Sequence, residues 1–167
     1  STKTYTYNGG DFSSTNYTGK NIYYGVREHA MASLSNGIAS IGLRPYTSTF
    51  LVFSDFMKPS IRLACRMKLP VLYIFTHDSI TVGEDGATHE PIEQLSMLRS
   101  IPNLVVYRVA DANELLNSYN EILKSHKPST LIVSKNISKL LPVCGDIKTA
   151  TRPGSDGIPW PGTYVKI

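Results

Sequence analysis

The sequence predicts an α/β fold, a parallel β-sheet with helices on both faces. Apolar runs of strand length, among them VLYIF (71–75), NLVVYRV (103–109) and STLIVS (129–134), alternate with segments of helical periodicity. Such alternation builds βαβ units, whose crossovers leave neighbouring strands parallel. VLYIF is continuous in hydrophobicity, not alternating, which suits a strand buried on both faces. With 167 residues, 41% of them hydrophobic, the chain can bury the core that one such domain needs.

Residues 1–20 are rich in Ser, Thr, Asn, Gly and Tyr and read as an extended loop segment. NIYYGV (21–26) is a short β-rich run. In REHAMASLSNGIASIG (27–42), Met31, Leu34, Ile38 and Ile41 recur at helical spacing, and the intervening Ala, Ser and Gly allow close approach of a neighbour. PYTSTFLVF (45–53) mixes β-branched and aromatic residues and reads as a strand. SDFMKPSIRLACRM (54–67) is helical in pattern, with Ser54 or Asp55 as N-cap. Pro59 should lie in its first turn or begin the helix proper. After VLYIF and a polar loop, PIEQLSMLRSI (91–101) reads as a helix started by Pro91. ADANELLNSYNEILKSH (110–126) carries apolar Leu115, Leu116, Tyr119, Ile122 and Leu123 on a helical repeat. From residue 141, four prolines and four glycines give linker composition, ending in TYVKI, the possible start of another element. The organisation is therefore an N-terminal loop segment (1–20), one domain (21–141), and a linker leading into a further domain (142–167).

Composition excludes several classes. No apolar run is long enough for a membrane-spanning helix, and the polar start STKTYTYNGG has no signal-peptide pattern. It also lacks an initiator Met, so the chain reads as a fragment or a processed product. Cys65 and Cys144 offer one possible pair and no disulfide framework, which points to a reducing, cytoplasmic setting. The net charge of +4 is spread along the chain without a basic stripe, so nucleic acid is not an expected partner and anionic small molecules fit as well.

Three stretches carry candidate chemistry. THDSITVGEDGATHEP (76–91) follows VLYIF directly, and in open α/β sheets ligands bind beyond the carboxyl ends of the strands. His77, Asp78, Glu84, Asp85, His89 and Glu90 lack a compact metal-binding spacing, so no metal is expected. An ordinary solvated loop is the alternative. In REHAM (27–31), Glu28 sits at a helix start, where the helix dipole stabilises a carboxylate; first-turn glutamates are also common without function. Phe50, Phe53 and Phe56, three residues apart, could pack in the core or form an aromatic pocket for a planar ring.

GVREHAM, NGIASIG, PYTSTFLVFSDF, THDSITVGEDGATHEPIEQL, LRSIPN and RVADANE occur in that order over roughly residues 20 to 136. Together they resemble transketolase, specifically the middle, pyrimidine-binding domain of this thiamine-diphosphate enzyme, whose fold is of the Pyr type. The resemblance implies that Glu28 hydrogen-bonds N1′ of the cofactor's aminopyrimidine. It implies that Phe50, Phe53 and Phe56 surround that ring, with Phe53 stacking on it. His77 and His89 become proton-exchanging catalytic residues, and His77, Asp85 and Lys135 become substrate-binding ones. Lys135 in VSKN stands where a phosphate-binding arginine is usual, keeping the charge without the bidentate geometry. Phe56 replaces a usual tyrosine, Glu90 a glutamine and Val109 a proline.

At the level of the whole protein, the resemblance implies a transferase. It would move a two-carbon ketol unit from a ketose phosphate to an aldose phosphate. The expected cofactors are thiamine diphosphate and Mg²⁺, the metal being held by an upstream domain with a GDG-type motif. The expected partners are sugar-phosphate substrates and the diphosphate-binding domain of a second subunit in a homodimer, which leaves the fragment alone inactive. Two alternatives stand beside this: a non-catalytic assembly or binding module of the same fold, and another thiamine-diphosphate enzyme such as deoxyxylulose-phosphate synthase or a 2-oxo-acid dehydrogenase beta subunit. THDS together with REHAM favours transketolase.

Overall fold

A computed structural model describes residues 4–134. Four strands, β1 (Tyr46–Phe50), β2 (Leu72–Thr76), β3 (Val105–Val109) and β4 (Ser129–Val133), form one sheet in the order β1-β2-β4-β3, and every pairing is parallel. The helices are α1 (Glu28–Ser40), α2 (Ser54–Met67), α3 (Gln94–Arg99) and α4 (Ala112–Lys124). Strand order dictates the layers. The steps from β1 to β2 and from β2 to β3 run one way across the sheet, and the step from β3 back to β4 runs the other way. Right-handed crossovers then put α2 and α3 on one face and α4 on the opposite one.

Side-chain alternation along β2 feeds both layers. Tyr73 and Phe75 pack with Met57 and Ile61 of α2, Leu98 of α3 and Met31 of α1, while Leu72 and Ile74 pack with Leu131 of β4 and Ile122 of α4. The expected parallel α/β architecture is therefore present, and among the described residues its thinner layer is made by α4. Two devices hold that layer. The Asp111 carboxylate accepts from the Glu114 N–H (2.9 Å), and the Glu114 carboxylate accepts from the Ala110 N–H (2.7 Å), a reciprocal N-terminal cap. At the other end, the Arg44 guanidinium donates to the carbonyls of Leu123 (2.6 Å), Ser125 (2.7 Å) and Ile122, where the last turn of the helix runs short of backbone donors.

Several elements differ from the expectation. Residues 21–26 are not a strand; Asn21 makes only an isolated bridge to Asp11, and the chain turns at Gly25 (φ 63°). In α1 the buried face is Met31, Ala32, Ser35, Asn36 and Ala39, while Leu34 and Ile41 are 46% and 75% exposed. A polar clamp selects that face: Asn36 donates to the Ser60 carbonyl (2.8 Å) and accepts from the Tyr73 hydroxyl (3.2 Å), and Ser33 meets Ser60 at 2.7 Å. The small residues do bring α1 close to α2.

Neither Ser54 nor Asp55 caps α2, because the 3-10 turn Leu51–Phe53 runs directly into it and already presents helical carbonyls. Asp55 instead accepts from Gln94 Nε2 (2.9 Å). Pro59 lies inside α2, beyond its first turn. Pro59 and Asp55, whose carbonyl loses its partner, are both exposed, so solvent can take the missing bond. α3 starts at Gln94, not at Pro91, since the Gln94 side chain first accepts from the Ile92 N–H (2.9 Å) in a turn.

Cys65 is a free, buried thiol, and burial pushes it up to about 12 from an ordinary 9.0. Burial raises the Tyr73 phenol as well. Above pH 9.0 an unfolded chain loses the Cys65 proton while the folded chain keeps it, so stability falls as pH rises through that window. Two outcomes follow for Cys65. Mass-spectrometric mapping at pH 8 should find it unmodified by iodoacetamide until urea is added, and the urea midpoint should drop progressively above about pH 9.

Candidate active site

The parallel register pairs Phe50, the last residue of β1, with Thr76, the last residue of β2. Both strands therefore release their chains side by side at the carboxyl edge of the sheet. From β1 the chain passes through the turn Leu51–Phe53 into α2, carrying Phe53 and Phe56 with it. From β2 it enters the histidine-containing loop.

Phe50 stacks on His77 with ring centroids 3.7 Å apart and planes inclined by 21°, and stacks on Phe53 at 5.9 Å and 10°. His89 returns to the same place, edge-on to Phe53 at 5.4 Å and to Phe50 at 6.3 Å. Phe56 joins at the rim, 6.3 Å from Phe53 and 60% exposed. The loop closes this circuit through Gly83 (φ 65°, ψ −106°) and Gly86 (φ 79°, ψ 178°), conformations that a Cβ disfavours. Each histidine has a threonine before it whose hydroxyl meets its Nδ1: Thr76 to His77 at 2.8 Å and Thr88 to His89 at 3.0 Å. Phe50, Phe53, Phe56, His77 and His89 are thus one cluster, open on the Phe56 side.

The carboxylates stand outside this ring cluster. Glu28 is half-buried at the first residue of α1 and takes part in no ion pair among the described residues. Asp85 is exposed at the end of the turn Ile80–Asp85. Lys135 lies outside the described residues. Among those residues, no group of three or more His, Cys, Asp or Glu is arranged to hold a metal ion.

One pair was absent from the expected site. Asp78, buried next to His77, accepts through Oδ2 from Arg108 Nε of β3 at 3.0 Å. The two residues line a cleft of about 240 Å³ together with Leu51, Ser79, Pro91 and Leu95. A signal for the pair exists in the sequence: Arg108 is the lone charge in NLVVYRV, and a charge in a buried strand requires a partner.

An aromatic wall flanked by two imidazoles can receive a planar ring and exchange protons beside it. Residues 1–139 match the family model described as Transketolase, pyrimidine binding domain. The chain belongs to that family. It is 51% identical over 137 residues to the transketolase of Bacillus subtilis (strain 168), covering 81% of this chain and 20% of that protein. Among solved structures, the transketolase of Campylobacter jejuni subsp. jejuni NCTC 11168 superimposes with a TM-score of 0.77 at 44% identity, covering 85% of this chain and 22% of the other. A Pichia stipitis transketolase mutant in complex with xylulose-5-phosphate gives a TM-score of 0.80 at 37% identity, covering 89% and 23%. The chain spans about a fifth of the length of the curated relatives it matches.

In this transketolase domain the Phe50–His77 stack should be visible in solution. Phe50→Leu should cost about 1 kcal/mol beyond the lost apolar area in denaturant titration. In the same variant the His77 ring protons should lose their upfield ring-current offset in the NMR spectrum, with those of exposed His126 unchanged.

Proposed function

We propose that this chain forms the pyrimidine-binding wall of a ketol-transfer site, one half of an active site completed by a second subunit. The convergence of Phe50, Phe53, His77 and His89 at the carboxyl edge, in a member of this family, carries the reading. The residues fit the cofactor that the family implies. Phe53 is half-buried and Phe56 largely exposed, so the cluster keeps an open aromatic side for a planar ring. Thiamine diphosphate, when bound, supplies the electron sink that two-carbon transfer between sugar phosphates needs.

The chain's own residues do the rest. Phe53 would stack on the pyrimidine, with Phe50 and Phe56 completing the aromatic surround. Glu28, favoured at the α1 N-terminus by the helix dipole, would share a proton with N1′ of that ring. His77 and His89 pass protons to and from substrate oxygens, their Nδ1 atoms fixed by Thr76 and Thr88. Asp85 accepts hydrogen bonds from sugar hydroxyls, and Lys135 pairs with the substrate phosphate as a point charge.

Mg²⁺ and the diphosphate belong to an upstream domain of the partner subunit in a homodimer. Exposed Leu34 on α1 and Ile41 at its C-cap support such pairing. The division into 1–20, 21–141 and 142–167, and a cytoplasmic setting, belong to the same proposal.

Two measurements test it. The purified 167-residue chain, given thiamine diphosphate, Mg²⁺, a ketose phosphate and an aldose phosphate, should show no ketol transfer; sustained turnover by this chain alone would refute the half-site reading. In the whole protein, Glu28→Gln should lower kcat at least ~100-fold while thiamine diphosphate still binds by calorimetry. Near-normal turnover there would remove Glu28 from the mechanism.

A further inference from the structure

We propose that the Asp78–Arg108 ion pair is a positioning device that holds His77 against Phe50. The idea concerns how this chain places an imidazole, so it stands whether or not ketol transfer is the reaction.

His77 leaves β2 in the left-handed region (φ 58°), a conformation that costs a residue bearing a Cβ about 1–2 kcal/mol. Such a conformation persists only where its surroundings over-determine it. On the N-terminal side the restraint is plain, because Thr76 is the last residue of β2 and is paired on both sides, to Phe50 and to Val133. On the C-terminal side the restraint is Asp78. Its side chain is 5% exposed and receives Arg108 Nε at 3.0 Å.

Arg108 belongs to β3, which does not neighbour β2; β4 lies between them. The ion pair therefore reaches over the carboxyl end of β4 and ties the loop to the far side of the sheet. With Thr76 fixed in the ladder and Asp78 fixed across β4, the chain must reverse at the one residue between them. The reversal turns the His77 imidazole back toward β1 and onto Phe50.

Among the described residues nothing else holds this carboxylate: Asp78 Oδ1 is buried without a hydrogen-bond partner, and Oδ2 meets Arg108. A buried carboxylate without its cation must find water or another donor, and the backbone carrying it must move. Arg108 and Asp78 are thus positioning residues, acting through His77 and not on the reacting atoms.

The test uses the 167-residue chain labelled with ¹³C in its histidine rings, with Phe50→Leu as the reference for an unstacked His77. In Arg108→Met the His77 ring protons are expected to move to the Phe50→Leu position, with His126 unshifted and thermal unfolding still cooperative. Arg108→Lys, which keeps a cation, is expected to bring them at least part of the way back. Asp78→Ala combined with Arg108→Met should displace them no further than either single change. Should Arg108→Met fail to fold, Asp78→Ala, which leaves neither a buried anion nor an acceptor for Arg108, serves as the same comparison. A His77 resonance that stays at its wild-type position in folded Asp78→Ala or folded Arg108→Met overturns the proposal. So does a common shift of all the histidines, which would mark general loosening.

Discussion

The parallel register between β1 and β2 sets Phe50 opposite Thr76, and the site is built outward from that pairing. A slip of one residue would turn every side chain of β1 to the other face of the sheet. Phe50 would then leave His77, and the turn Leu51–Phe53 would deliver Phe53 and Phe56 to the wrong side. Burial on both faces of β2 guards against this, since Tyr73 and Phe75 on one side and Leu72 and Ile74 on the other each have a separate layer to fill.

The two layers are secured by different means. On the face of α1, α2 and α3 the apolar core is extensive, and the polar contacts within it run through Asn36, Ser60 and Tyr73. Such contacts add orientation more than net stability, because each hydrogen bond replaces one to water. On the other face, among the described residues, a single helix covers β3 and β4, and its ends are capped by side chains. A layer of one helix has less area with which to offset unpaired end groups, so the caps matter more there.

Much of this was legible before any coordinates. VLYIF, NLVVYRV and STLIVS are continuous enough in apolar character to mark β2, β3 and β4, and the β-branched and aromatic content of PYTSTFLVF marks β1. The ring cluster Phe50, Phe53, Phe56, His77 and His89 was named from motif resemblance, which reports residue roles but no geometry. What escaped shares one physical cause: burial of polar groups. Ser35 and Asn36 look like surface on a helical wheel, so the hydrophobic repeat pointed to Leu34 and Ile41 as the buried face of α1. Asp78 sits among polar loop residues, and its burial depends on an arginine thirty residues away in another strand. The expected cap of α2 failed for a related reason. A 3-10 turn that merges into the helix removes the need for a capping side chain, and no single residue type announces such a merger.

Arg44 lies just before β1, and the carbonyls it gathers belong to the end of α4 that leads into β4. That clamp is therefore at the amino end of the sheet, the full length of the strands away from His77 and Phe53. The molecule has in effect a hinge pin at one end and a workbench at the other. Because strand order is latched at the amino end, loops at the carboxyl end can change in length or chemistry without letting the strands beneath them come apart. A fold arranged in this way can take up new substrates by altering its loops while its foundation stays as it is.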